Sequence, residues 1–135
     1  MRRADARDLP AIVAIQQACP EAAQWRANDY LEYQVCVAVC PPAIIGFVAG
    51  RTPIRGESEI LNLAVAPDWR RQGVARALLE TWFHEFPGDI FLEVRASNRT
   101  AQRFYNSLGF QEVMTRREYY ANPVESAIVM KFHSC

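Results

Sequence analysis

The chain has 135 residues, half of them hydrophobic, with 15 basic and 15 acidic side chains and therefore no formal net charge. This length and apolar content exclude a disordered chain and predict one domain over residues 1–135, large enough to form a core without disulfides or metal. Zero net charge argues against a nucleic-acid binder that relies on a positive electrostatic field.

The N-terminal half is predicted to contain two helical segments and an antiparallel meander. Residues 1–5 are expected to form an edge strand. Asp8 is the predicted N-cap of a helix that runs to about Cys19, and a second helical segment is expected over residues 24–33. Strands bounded by turn residues are then predicted, in chain order, over residues 35–39, 44–51 and 59–65.

The C-terminal half begins with a strand–helix–strand pattern. A polar loop precedes a helix over residues 74–86, and a strand follows over residues 90–94. Such a right-handed crossover makes its two strands parallel. A helix over residues 99–108, capped by Asn98, and strands over 110–119 and 127–132 complete the chain. The fold class is therefore mixed α/β (α+β), with antiparallel strands first, then a parallel pair, and helices on both faces.

The sequence predicts a cytoplasmic protein without a metal site. The basic N-terminus lacks the apolar stretch of a signal peptide. An uncharged run over residues 33–50 is long enough to suggest a membrane span, but its Pro-Pro pair favours two strands. Cys36 and Cys40 would lie about 13 Å apart on one strand, too far for a disulfide. The cysteines are interpreted as small core residues, and the two histidines are isolated.

A loop rich in arginine precedes the helix over residues 74–86. Arg70, Arg71 and Gly73 lie where backbone N–H groups have no helical partner and the helix dipole favours anions. A glycine allows a phosphate oxygen to approach the backbone, and guanidinium groups add charged donors. An ordinary strand–helix turn with solvated arginines would have the same residues, so these residues alone leave both interpretations open.

The surrounding sequence resembles a known family. The pattern R-x-x-G-x-A at Arg70, Gly73 and Ala75 looks like the acetyl-CoA signature of the GNAT N-acetyltransferases. Residues 92–98 and 104–110 are similar to the next two segments of that superfamily. Residues 116–120 and 125–130 continue the likeness, which is greatest to the RimI branch, whose members acetylate the N-terminal alanine of a ribosomal protein.

The resemblance implies that acetyl-CoA is the acetyl donor. Its pantetheine arm would lie between two splayed strands, residues 61–65 and 90–94, and would bond to the backbone of Leu63, Ala64 and Val65. The residues implied to hold its pyrophosphate are Arg70, Arg71, Gln72, Gly73, Val74, Ala75 and Arg76. Asn98 matches an asparagine of the family that contacts the coenzyme, and it suits a plain helix cap equally well.

Two residues match the acid–base groups of the family. Glu93, in an otherwise apolar strand, corresponds to the general base, which would take the amine proton through a water. Alternatively, its carboxylate faces solvent or pairs with Arg95. Tyr105 corresponds to the general acid that protonates the departing thiolate, although its helical spacing with other apolar residues also suits core packing.

The predicted acceptor is the N-terminal α-amine of a protein or peptide that begins with alanine, a ribosomal protein being one candidate. Trp25, Tyr119 and Tyr120 are candidate substrate contacts, and the two tyrosines could equally pack within the last hairpin. The alternatives are an acetyltransferase of a small amine, such as a polyamine, and an inactive coenzyme-binding module. No carboxylate cluster suited to a polyamine is recognised in residues 20–60.

The basic residues are almost all arginine, with Lys131 the only lysine among 15. The arginines within the segment that carries the coenzyme motifs are Arg70, Arg71, Arg76, Arg95, Arg99 and Arg103. Arginine presents a planar fork of donors that suits phosphate. Base composition of the genome explains the bias equally well.

Overall fold

The computed structural model describes residues 1–120 and 125–134, excluding the side chains of residues 118–120. Its strands are β1 (Arg2–Arg3), β2 (Gln34–Cys40), β3 (Ala43–Ile54), β4 (Glu57–Val65), β5 (Gly88–Arg95), β6 (Gln111–Tyr120) and β7 (Glu125–Ser134). They form one sheet in the order β1-β2-β3-β4-β5-β7-β6. Only β4 and β5 run parallel in the described part of this sheet, which confirms the predicted mixed fold.

The helices are α1 (Leu9–Gln17), α2 (Val74–Glu85) and α3 (Arg99–Ser107), with short 3-10 helices at Ala6–Asp8, Ala27–Glu32 and Pro67–Trp69. They cover both faces of the sheet. Val48 packs in the core with α2, whereas its neighbours Phe47 and Ala49 pack in the core with α1. Because successive strand residues point to opposite faces, α1 and α2 lie on opposite sides of the sheet.

The helix predicted over residues 24–33 is wrong in extent, since only the 3-10 helix Ala27–Glu32 forms there. Side-chain bonds link the start of this segment to the end of α1 and the residues after it instead. Gln16 Nε2 donates to the carbonyl of Trp25 at 2.8 Å, and Gln24 Nε2 donates to the carbonyls of Gln16 and Cys19. These bonds satisfy carbonyl groups around the turn without a regular helix.

The uncharged run over residues 33–50 forms β2 and most of β3, as predicted. No helix in the described part of the chain is long and apolar enough to cross a membrane. Cys19 and Cys36 are buried and free, in agreement with their interpretation as core residues. That interpretation is wrong for Cys40, which is exposed because it ends β2 at the turn into β3. Cys135 lies outside the described residues.

Asp8 is the N-cap residue of α1, as predicted, but its side chain does not cap that helix. Its side chain makes no bond to the N–H groups of that helix. Its carboxylate accepts hydrogen bonds from Arg2 Nη1 at 2.7 Å and from the Asp5 N–H at 2.8 Å. The Arg2 guanidinium lowers the pKa of Asp8 from the ordinary 3.8 to about 2. Asp8 therefore joins β1 to the start of α1.

Replacing Asp8 by asparagine is expected to destabilise the protein by about 1–2 kcal/mol at pH 7, because a charge-assisted bond is lost. Since the folded-state pKa is lowered, the carboxylate stabilises the fold above pH 3.8 and loses that effect as the pH falls toward 2. Thermal unfolding of both proteins at pH 7, 4 and 3 should show the difference narrowing. An equal difference at all three pH values would contradict this role.

The parallel strands β4 and β5 separate partway along their length. Their pairing extends only from Glu57 with Asp89 to Ile60 with Leu92, although both strands continue. On the other side of β4, Ala49 pairs with Asn62 and Gly50 with Ile60, so Leu61 is an extra residue. Such a bulge bends its strand and increases its twist. The expected splayed pair is therefore confirmed, with its gap beginning at the bulge.

Candidate active site

The gap between β4 and β5 opens into a cleft of about 530 Å³. Its lining comes from residues 20–24 after α1, residues 60–63 of β4 and residues 92–95 of β5, together with Asn98, Ala101 and Tyr105. Three other cavities measure about 300–370 Å³. Since the residues after α1 and those on α3 belong to opposite faces of the sheet, the cleft passes through the sheet.

Backbone groups of β4 point into this gap at alternate residues. The Ala66 N–H donates to the carbonyl of Ile45 in β3 at 2.8 Å. Because backbone groups alternate in direction along a strand, those of Leu63 and Val65 point away from β3. The Val65 carbonyl accordingly accepts a bond from the Cys19 thiol at 3.3 Å. Leu63 and Val65 thus present backbone groups to the gap.

The same alternation turns the backbone of Ala64 toward β3, where Phe47 is its register partner. Leu63 and Val65 therefore turn backbone groups toward the gap, whereas Ala64 turns its own toward β3. The contacts of all three residues with pantetheine stay predictions.

The loop before α2 has the backbone shape of an anion site. Arg71 and Gly73 both adopt left-handed conformations, with φ of 62° and 81°. Gly73 is the N-cap, and its carbonyl accepts the Ala77 N–H at 3.0 Å, so the N–H groups of residues 74–76 have no partner within the helix. A Cβ at Gly73 would have no atom within 4 Å. The helix N-terminus is therefore open to an anion.

The side chains of this loop differ in what they contact. Arg70 Nη2 bonds to Glu21 at 2.9 Å and to the Cys19 sulfur at 3.3 Å, so it joins the loop to the residues after α1. Gln72 Nε2 donates to the Asp68 carbonyl at 3.3 Å. Arg71 and Arg76 are exposed and form no ion pair with a described residue. These two arginines suit an incoming phosphate best.

Asn98 caps α3. Its side-chain oxygen accepts the Ala101 N–H at 3.1 Å, which confirms the cap interpretation. Both residues also line the cleft. The contact of Asn98 with the coenzyme stays a prediction.

Glu93 points to the face of the sheet opposite α2, which is called the open face below. Its neighbours Leu92 and Val94 are buried in the core with α2, so Glu93 faces the opposite side. Its side chain is 19% exposed and pairs with Arg116 Nη1 at 3.3 Å. The alternative partner Arg95 is bonded to Glu125 at 3.0 Å instead. The carboxylate is thus held by β6 and accessible from the cleft.

Tyr105 approaches the cleft from the other face. It belongs to α3, and its ring packs 5.6 Å from the ring of Phe110 in the core with α2. Burial raises the pKa of its phenol to about 12. No described side chain hydrogen-bonds to its hydroxyl group, and Tyr105 lines the cleft. The phenol is therefore protonated at neutral pH and has a proton to donate.

Replacing Tyr105 by phenylalanine is expected to slow turnover about 100-fold, since general acids contribute roughly this much, while the ring contacts keep the fold. Because the pKa is about 12, the wild-type phenol stays protonated up to about pH 11, so its contribution should not fall between pH 6 and 10. Steady-state rates over that range and thermal unfolding test both points. Full activity in the variant would make Tyr105 purely structural.

The predicted acceptor contacts are placed differently. Trp25 is half-buried, with its ring 5.0 Å from that of Tyr30 and 5.1 Å from that of Tyr33, and it is not part of the cleft lining. The side chains of Tyr119 and Tyr120 lie outside the described residues. Residues 20–24, which precede Trp25 in the chain, line the cleft.

Several relevant residues were not found from the sequence. Glu57 and Glu59 line a groove of about 370 Å³ together with Glu93 and Arg116, although no carboxylate cluster was recognised in residues 20–60. The register of the strands brings them together, and only their alternation along β4 could have indicated a shared face. Arg51 pairs with Glu59 at 3.2 Å, as Arg116 does with Glu93, which compensates much of the negative charge.

Asn62 is another residue of the cleft region that was not predicted from the sequence. Its side chain is buried and bonds to the backbone of Ala23 in the wall of the cleft. A single polar residue within the otherwise apolar run of residues 60–66 was the available signal.

The described residues contain no group of three or more histidine, cysteine, aspartate or glutamate side chains placed to hold a metal ion. His84 is exposed on α2. His133 Nδ1 lies 2.7 Å from Asp89 Oδ1 at the end of the sheet remote from the cleft.

Comparison with known proteins agrees with this geometry. The family model described as an acetyltransferase (GNAT) domain matches residues 31–112. The ribosomal protein bS18-alanine N-acetyltransferase of Escherichia coli K12 is 36% identical over 132 aligned residues, which cover 91% of this chain and 89% of that protein.

Solved structures show the same fold. The ribosomal-protein-S18-alanine N-acetyltransferase from Escherichia coli has a TM-score of 0.84 and 32% identity, covering 98% of this chain and 91% of that chain. Naa20 of Chaetomium thermophilum, in complex with a bisubstrate analogue, has a TM-score of 0.84 and 26% identity, covering 98% and 85% of the two chains. The segment that matches the family model includes both strands of the cleft, the arginine loop, Glu93 and Tyr105.

Proposed function

Because this chain belongs to the GNAT acetyltransferase family and is an acetyl-CoA-dependent N-acetyltransferase, we propose that its acceptor is the N-terminal α-amine of a protein or peptide. Alanine is the proposed first residue, and a ribosomal protein is the proposed partner, since the similar Escherichia coli enzyme is named for such a substrate. We place this reaction in the cytoplasm, within one domain over residues 1–135, without a metal, a membrane or direct contact with nucleic acid.

The acetyl donor is proposed to bind across the gap between β4 and β5. The backbone groups of Leu63 and Val65 would bond to its pantetheine arm and acetyl group. The N–H groups of Gly73 and residues 74–76 would hold the pyrophosphate, with Arg71 and Arg76 as charged donors. Arg70 and Gln72 contribute by holding the loop, because their side chains already have partners within the protein.

The proposed reaction is direct transfer. Glu93 accepts a proton from the acceptor ammonium through a water, which leaves a neutral amine with a free electron pair. The amine nitrogen attacks the thioester carbonyl carbon, the nitrogen of the tetrahedral intermediate gives its second proton to solvent water, and the intermediate collapses by breaking the carbon–sulfur bond. Tyr105 gives its phenolic proton to the departing thiolate. The products are an acetylated amine and coenzyme A.

The arrangement of Glu93 and Tyr105 is the observation that supports this mechanism. The two side chains line one cleft from opposite faces of the sheet. An amine that enters from the open face meets Glu93 first, whereas a thiolate that leaves toward α3 meets Tyr105. The base is therefore close to the entering amine and the acid close to the departing thiolate.

The open face also supports a peptide acceptor over a polyamine. Residues 20–24 form one side of the approach to Glu93, and β6 forms the other. The carboxylates of Glu59 and Glu93 are each paired with an arginine, so they leave less charge for a polycation.

A thiol-release assay with acetyl-CoA tests the proposal. Peptides that begin with alanine, glycine, serine or methionine are compared with the same peptides blocked at the N-terminus and with spermidine. Turnover is expected with the free alanine peptide and not with its blocked form. Faster turnover of spermidine than of any peptide would contradict the proposed acceptor, and no turnover with any amine would contradict the assignment of Glu93 and Tyr105 as a working pair.

A further inference from the structure

Asn62 is a buried polar residue immediately after the bulge of β4, with only 5% of its surface exposed. Its amide group is fully bonded. The nitrogen donates to the Ala23 carbonyl at 3.0 Å and to the Tyr30 hydroxyl at 3.1 Å. The oxygen accepts the N–H groups of Ala23 at 3.2 Å and of Leu63 at 3.1 Å. A buried amide with four bonds fixes the positions of everything it contacts.

The Ala23 contacts fix one wall of the cleft. Residues 20–24 line the cleft but belong to no helix or strand, so no regular backbone ladder holds them. Asn62 bonds to both backbone groups of Ala23, which sets the distance of this wall from β4. Arg70 with Glu21 and Gln24 with the carbonyls around it add contacts nearer the solvent.

The Leu63 contact lies on the donor side of the cleft. The Leu63 N–H points into the gap, because β5 has separated from β4 at this level. In this structure the N–H is bonded to the Asn62 oxygen, which also accepts the Ala23 N–H. One oxygen atom therefore contacts both the strand that faces the acetyl donor and the wall that faces the acceptor.

We propose that Asn62 is a positioning residue. It fixes the position of residues 20–24, the wall that faces the acceptor, relative to β4, the strand that faces the acetyl donor. This inference rests on the proposed function, in which the acceptor amine enters between residues 20–24 and Glu93. Loss of the Asn62 side chain frees Ala23, so the wall samples positions in which the amine is not aligned with the thioester. Acceptor binding then weakens. The pyrophosphate loop keeps its own bonds, because Gly73 and α2 make no bond to Asn62 and Arg70 bonds to Cys19 and Glu21 and not to Ala23.

The test compares Asn62→Ala with Tyr30→Phe, which is a matched control from the same network. The Tyr30 hydroxyl bonds to Gln16 and Asn62, and its removal leaves both Asn62–Ala23 bonds in place. Both variants lose buried hydrogen bonds and are expected to unfold at lower temperature. Only Asn62→Ala is expected to raise the acceptor KM, by about 10-fold for the loss of bonds of this kind, with the acetyl-CoA Kd within 2-fold of wild type.

Hydrogen exchange at the Ala23 amide gives a readout that needs no acceptor. Exchange is expected to accelerate in Asn62→Ala and to stay near the wild-type rate in Tyr30→Phe.

If Asn62→Ala does not fold, Asn62→Asp replaces it, since it keeps the two acceptor bonds but cannot donate to the Ala23 carbonyl. An unchanged acceptor KM with accelerated exchange, or equal KM changes in the asparagine and tyrosine variants, would overturn the inference. If the wild-type protein acetylates no peptide, the proposed function fails instead, and the exchange result still reports whether Asn62 holds the wall.

Discussion

Replacing Glu93 by glutamine is expected to lower kcat about 10²–10⁴-fold, the usual contribution of a general base, with little change in acetyl-CoA affinity. Glutamine has nearly the same shape but cannot accept the amine proton. The coenzyme affinity should hold because Glu93 lies in β5 and is not part of the loop before α2 that is proposed to hold the pyrophosphate. Rates of thiol release across pH 6–9, together with calorimetry using coenzyme A, measure the two effects separately.

Glu59→Gln is the matched control for this prediction. Glu59 lines the same open face and is also paired with an arginine, but it lies in the part of β4 that still pairs with β5. Its neutralisation is expected to change kcat by less than about 3-fold, which is the scale of a surface ion pair. Equal losses in the two variants would indicate that the charge of the face, and not a base at Glu93, governs the rate.

Replacing Gly73 by tryptophan is expected to abolish measurable binding of coenzyme A. The position has open space in the free protein, so the indole would occupy the volume proposed for the pyrophosphate. Losing two or more charge-assisted bonds to phosphate corresponds to a 10²–10⁴-fold weaker Kd, on the order of 3–6 kcal/mol. Isothermal calorimetry with coenzyme A measures the loss.

Gly56→Trp separates this effect from backbone strain. Gly56 has a φ of 83°, close to the 81° of Gly73, and a Cβ there would also have no atom within 4 Å. It lies in the exposed turn between β3 and β4, away from the loop that precedes α2. Both variants should lose similar stability from a left-handed non-glycine residue, about 1 kcal/mol. If Gly56→Trp also lost coenzyme binding, or Gly73→Trp retained it, the phosphate site would be misplaced.

Local patterns in the sequence were enough for the family and for most elements. The resemblance around Arg70, Gly73 and Ala75 is confirmed by the GNAT family model and by the relatives. The capping asparagine Asn98 and the crossover between β4 and β5 were also predicted correctly. These features depend on residues close together in the chain, and their signals are therefore visible in one sequence.

The bulge at Leu61 was not predictable, because it carries no local signal. Strict alternation along β4 would place Ile60 and Ala64 on one face. The extra residue reverses the alternation, so that Ile60 packs in the core with α2 and Ala64 in the core with α1. This reversal also decides which backbone groups face the gap, and it turns those of Ala64 toward β3. The expected contact of Ala64 with the acetyl donor stays a prediction.

Contacts between distant segments were missed for a related reason. Glu93 pairs with Arg116 and not with its near neighbour Arg95, because the register of β5, β7 and β6 places Arg116 beside it. Asn62 contacts Ala23 through a pairing that spans 39 residues. Periodicity describes one segment at a time, whereas these bonds depend on how segments are arranged in space.

The separation of β4 from β5 has a thermodynamic consequence for the free protein. Beyond Ile60 and Leu92 the two strands no longer share ladder hydrogen bonds, so the sheet is interrupted at its centre. A ligand that bonds to Leu63 and Val65 across the gap acts as a substitute strand and binds only the folded chain. Mass action then adds about 2.7 kcal/mol to the unfolding free energy when that ligand is present at 100 times its Kd. The lifetime of this protein against proteolysis would therefore rise and fall with the supply of its acetyl donor.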